Sequence, residues 1–131
     1  MMKPVNRENM VVLIKAMNSD GQLAFEAEVA VDPLMLMVAA ESKEAVAREK
    51  GRQFTEGAIP FWASEAFKAA KSGGSPDELH RLTLKVAMSA WLMASIYDQV
   101  PAEQFIQSNL HFTLLPSGAV KFDRIPKQVK R

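Results

Sequence analysis

The stretch "MVVLIKAMNSDGQLAFEAEVAVDP", residues 10–33, decides how the rest of the chain is read. Residues 10–17 are apolar and rich in β-branched side chains, which favour a pleated backbone. "NSDG" follows, and Gly21 supplies the positive φ of a tight turn. Residues 22–31 then alternate strictly. Leu23, Phe25, Ala27, Val29 and Val31 fall on one face, with Glu26 and Glu28 on the other. Strand, turn, strand is the resulting expectation. A lone hairpin is marginal in water, so its apolar face requires a covering layer. Asp32-Pro33 announces that layer: Asp caps a helix and Pro takes its first position.

Downstream the period becomes helical. "LMLMVAA" (34–40) is apolar all round and is expected to be buried, whereas residues 41–56 carry charge over most of the circumference. Glu44 and Arg48 form an expected exposed pair. Leu36, Ala40, Ala47, Gly51 and Phe54 make one narrow stripe, interrupted by Lys43. At "EGAIPFW" (56–62), Pro60 lacks an N–H and is expected to kink the helix or start a new one. Trp62, Ala63, Ala66, Phe67 and Ala70 then share a face, with Trp62 read as a core anchor and Phe61 on the polar side.

"SPDE" (75–78) starts another helix: Ser75 caps, Pro76 leads and Glu78 completes a capping box. That helix should run to about Val100. "PAEQFIQS" then suggests a helical turn, and "LHFTLLPSGAVKFDRI" (110–125) a second hairpin. The order β-β-α-α-α-β-β is an α+β domain, expected as an antiparallel sheet packed on helices. A chain of 131 residues is one domain by size, with residues 1–8 and 126–131 read as loose tails.

The helix over 79–100 has an ordinary core face: Leu79, Leu82, Val86, Ala90, Met93, Tyr97 and Val100. Its other side begins polar at Arg81 and Lys85, then turns apolar at Met88, Leu92 and Ile96. Residues 86–97 are uncharged, but a membrane span needs about 20 apolar residues. This second face is therefore assigned to the protein's own core or to a partner.

Composition excludes several chemistries. The chain has no cysteine, so disulfides, thiol catalysis and thiolate zinc sites are excluded. The apolar run near the N-terminus stops at Lys15, too short for a signal-peptide core, and the chain is read as cytoplasmic. His80 and His111 lack metal-ligand spacing. Glu26 and Glu28 are explained by alternation across a sheet. "SGGS" (72–75) is a helix end rather than a phosphate loop, because no Walker or dinucleotide pattern surrounds it. No catalytic constellation, metal or cofactor is expected; His111 working with a carboxylate is the least favoured of the functional readings.

What remains is binding. Phe61, Trp62, Met88, Leu92 and Ile96 are the expected contact residues of a protein-binding module, with a second copy of the chain as one candidate partner. A regulator, an assembly factor or a phage- or plasmid-type inhibitor would fit such a module. The alternative is nucleic-acid binding by the last hairpin and basic tail. The net charge is only +1, but residues 121–131 concentrate Lys121, Arg124, Lys127, Lys130 and Arg131 against a single acid, Asp123. With His111 and Phe122, these cations could contact phosphates and stack bases.

Overall fold

A computed structural model describes residues 11–127. The chain order is β1 (Val11–Met17), β2 (Leu23–Ala30), α1 (Pro33–Lys50), α2 (Arg52–Lys71), α3 (Pro76–Ile96), α4 (Ala102–Phe105), β3 (Ser108–Leu114) and β4 (Val120–Pro126). The fold is α+β, and both hairpins join one sheet of order β2-β1-β3-β4. The sheet is mixed rather than purely antiparallel, because the central strands β1 and β3 pair in parallel. A helical crossover separates these two strands, and such a connection permits parallel pairing.

One face of the sheet is buried beneath helices. Val12, Ile14 and Ala16 of β1, Phe25 and Val29 of β2, and Leu110 and Phe112 of β3 all point there. The other face carries the register row Glu26–Lys15–His111–Asp123, with acids on the outer strands and a lysine and a histidine between them. The expected alternation holds from Phe25 to Val29, with Glu26 and Glu28 exposed, but Leu23, expected on the inward face, is 51% exposed beside the register shift at Ala16/Met17. Helices α2 and α3 lie against the sheet; α1 packs chiefly on α3, α2 and α4.

The caps are those expected. Asp32 accepts from the Leu34 N–H at 2.8 Å, and Ser75 accepts from the Glu78 N–H at 3.2 Å. Three boundaries differ. Helix α3 ends at Ile96 rather than near Val100, with Tyr97 as its C-cap and Gln99 at φ 55°. The helix break lies at Gly51 (φ 93°, ψ 164°), and α2 runs unbroken through Pro60. Pro60 costs one backbone hydrogen bond, but packing of Ile59, Ala63, Ala66 and Phe67 in the core holds the helix together across it. At the C-terminal end, Pro126 still belongs to β4, and the Lys127 N–H donates to the Gln107 carbonyl at 2.6 Å. The ordered chain thus extends into the segment expected to be a tail; residues 1–8 and 128–131 lie outside the described residues.

Candidate functional site

The large apolar side chains left in solvent are concentrated on the helices. Leu34, Met35, Met37, Val38 and Val46 of α1 are exposed, as are Phe54 and Phe61 of α2. Leu34 and Met35 reach 67% and 70% exposure. This overturns the expectation that the first turns of α1 are buried. Position in the fold is the cause. Packed on other helices rather than on the sheet, α1 buries only Leu36, Ala40 and Ala47. The remaining apolar circumference faces water, and the Glu44–Arg48 pair sits on it at 3.0 Å as expected.

The five expected contact residues do not form one surface. Phe61 is exposed, and its ring meets Trp62 edge-on at 4.9 Å. Trp62 is half-buried rather than a core anchor, with the Lys85 ammonium 4.2 Å above its ring. Met88 and Leu92 are half-buried on the outer side of α3. Ile96 is buried at 5% exposure and belongs to the interior. It lines a hollow with Glu44 of α1 and Pro101, so the end of α3 is covered by its own chain.

Leu92 lies where three helices meet. A pocket of about 130 Å³ there is bounded by Val46 and Ala47 of α1, Phe54 and Ala58 of α2, and Ser89 and Leu92 of α3. Lys43 and Lys50 stand on its α1 side. Beyond this pocket α2 and α3 continue antiparallel, and the Lys85 ammonium of α3 stands over the Trp62 ring of α2. Among the described residues, none of these three lysines takes part in an ion pair. Lys50 instead sits 4.7 Å over the Phe54 ring.

Sequence reasoning missed Trp91. It is the largest fully buried side chain; its indole N–H donates to the Leu36 carbonyl at 2.6 Å and its ring packs on Phe105 at 5.2 Å. It falls between the two faces of the α3 wheel, so periodicity gave no signal for it. Tyr97 makes a second tie to α1, its hydroxyl donating to the Ala47 carbonyl at 2.8 Å. Tyr97→Phe should lower stability by about 0.5–1.5 kcal/mol, the usual worth of one such bond, measurable by urea unfolding.

The residues of the nucleic-acid alternative divide between the two sides of the sheet. His111 and Lys121 occupy the open face, where Lys121 pairs with Asp123 at 3.8 Å. Phe122 turns to the helical side and stacks on buried Phe112, with centroids 5.0 Å apart and planes at 22°. Arg124 follows Phe122 on that side and donates to the Ser108 hydroxyl at 3.3 Å. The Lys127 ammonium donates to the Val11 carbonyl, and burial pushes its pKa below the usual lysine range. Lys130 and Arg131 lie outside the described residues. A joint surface of cations and stacking rings is not formed by the described members of this set.

No group of three or more candidate ligand side chains for a metal occurs among the described residues. No helix among them is long and apolar enough to cross a membrane. Comparison with protein-family models, curated proteins and solved structures found no match.

Proposed function

We propose that the protein is a protein-binding module whose recognition surface is the outer side of its helices. The observation that carries this reading is the run of exposed Leu34, Met35, Met37 and Val38 at the start of α1, with Phe54 and Phe61 also exposed on α2. Contiguous exposed apolar side chains with charged neighbours have the composition of an interface core and its rim. Fully covering one such side chain contributes about 1.5–3 kcal/mol, so a partner engaging several of them gains substantially. Whether the bound partner makes it a regulator, an assembly factor or an inhibitor depends on that partner's own activity.

The test places a photo-reactive amino acid at Met35, at Phe61 or, as a control, at Glu26 on the opposite face of the molecule. Protein cross-links from positions 35 and 61, absent from 26, are expected after irradiation in cells. Cross-links only from 26, or none to protein from 35 and 61, refute the reading. Met35→Glu should change the unfolding free energy by no more than about 0.5 kcal/mol, as for other surface substitutions, while weakening the cross-link from position 61.

A further inference from the structure

We infer that the furrow where α1, α2 and α3 meet takes an acidic amphipathic helix from a partner protein, an inference that rests on the protein-binding reading above. The pocket of about 130 Å³ is close to the ~150 Å³ cavities that hold a benzene ring, so it accommodates one leucine or phenylalanine side chain. Val46, Phe54, Ala58 and Leu92 supply its apolar surface. Such a pocket suits a single anchor residue, the usual energetic centre of an interface.

Charge gives the occupant its sign. Lys43 and Lys50 line the pocket and no acidic side chain does. Seven residues apart on α1, these lysines are separated by about 10 Å along the helix axis at 1.5 Å per residue. Further along the same helix pair, Lys85 adds a third cation above Trp62. With no ion pair to any of the three among the described residues, carboxylates on a partner would meet available cations. Ammonium groups over the Phe54 and Trp62 rings also keep the aromatic walls beside positive charge.

Backbone chemistry selects a helix. The furrow's walls are helical, and their main-chain groups are committed to intrahelical bonds. An extended peptide would find no strand edge to pair with there. A helix arrives with its own N–H and C=O groups satisfied and presents anchors at i, i+3, i+4 and i+7.

The probe is a displayed library of 18-residue amphipathic helices, with Leu, Ile or Phe on one face and Glu, Lys or Gln randomised elsewhere, selected against the whole chain. Enrichment of net-negative peptides with one dominant Leu or Phe anchor is expected. The double variant Lys43→Glu/Lys50→Glu, which changes only exposed residues, should bind the selected peptide at least tenfold more weakly. Ala58→Phe, which fills the pocket, should do the same, with thermal melts confirming that both variants fold. The inference is overturned by no enrichment, by a neutral or basic pool, or by peptides indifferent to the charge-reversed variant. It is equally overturned if phosphatidylserine vesicles or single-stranded DNA bind in a Lys43- and Lys50-dependent way while no peptide is enriched. A dimer dispersed by Ala58→Phe would likewise replace the proposed occupant with a second copy of the chain. Protein cross-links at Met35 and Phe61 without acidic-peptide binding would remove this partner class and leave the protein-binding reading standing.

Discussion

Trp91→Ala should destabilise the protein by about 3–5 kcal/mol, the range for truncating a buried aromatic residue. Trp91 is 2% exposed, and its ring fills the space between α1, Phe105 and the body of α3. Removing it opens a cavity and breaks the indole bond to the Leu36 carbonyl, leaving the Tyr97 hydroxyl bond to the Ala47 carbonyl as the remaining tie of this kind to the α1 backbone among the described residues. Domains of this kind are stable by only about 5–15 kcal/mol, so the variant would sit near the unfolding threshold. Trp62→Ala is the comparison. Trp62 is half-buried beneath the Lys85 side chain, so its truncation should cost about 1–2 kcal/mol, less than the range for full burial. Urea midpoints followed by far-UV circular dichroism measure both. Equal losses, or a larger loss for Trp62, would show that Trp91 does not anchor the core.

Gly51 and Pro60 give a prediction that turns on sign. Were Gly51 inside a continuous helix, Gly51→Ala would stabilise by about 0.5–1 kcal/mol through its helix propensity. In the structure it has φ 93° and ψ 164°, a region reached essentially by glycine alone. Gly51→Ala should therefore destabilise, by about 1–3 kcal/mol. An added Cβ would meet nothing within 4 Å, so this cost is conformational and not steric contact with the rest of the fold. Pro60→Ala should move the other way. Proline in a helix interior is worse than alanine by about 3 kcal/mol. The freer unfolded chain takes back about 0.4–1 kcal/mol of that. Pro60 also lines a hollow with Val120 and Phe122, and losing its ring contacts offsets a little more. A net gain of about 1–2 kcal/mol is expected. Stabilisation by Gly51→Ala together with no gain from Pro60→Ala would put the break back at the proline.

Local chemistry was the legible part of this chain. Strict alternation in residues 22–31 placed Phe25 and Val29 inward and Glu26 and Glu28 outward. Asp32 and Ser75 marked two helix starts through the hydrogen bonds they accept. Each of these signals involves residues close together in sequence, where propensity and capping act directly. The Gly51 break was not legible in the same way. A glycine and a proline both interrupt helices, and their relative cost depends on whether core packing holds the helix across them.

The candidate surface was legible only in part. Phe61 stood out because an aromatic residue on a polar face is a local anomaly, and it is exposed. Met88 and Leu92 stood out because the α3 wheel turns apolar where water is expected, and both remain half-buried. Ile96 carried the same signal and is buried, since α1 and the segment around Pro101 close over the end of α3.

The sequence by itself determined an α+β chain, its strand faces and its helix caps, because alternation, turn residues and capping side chains act over a few residues. Only the tertiary structure decided that β1 pairs with β3 in parallel, that Trp91 rather than Trp62 anchors the core, and that the apolar start of α1 faces solvent. Burial depends on which element covers which. An all-round apolar helix looks the same in sequence whether it lies under a sheet or on the outside of a helical pair. Here α2 and α3 occupy the sheet, α1 is left with a narrow stripe of contact, and its remaining apolar side chains become the protein's most distinctive surface.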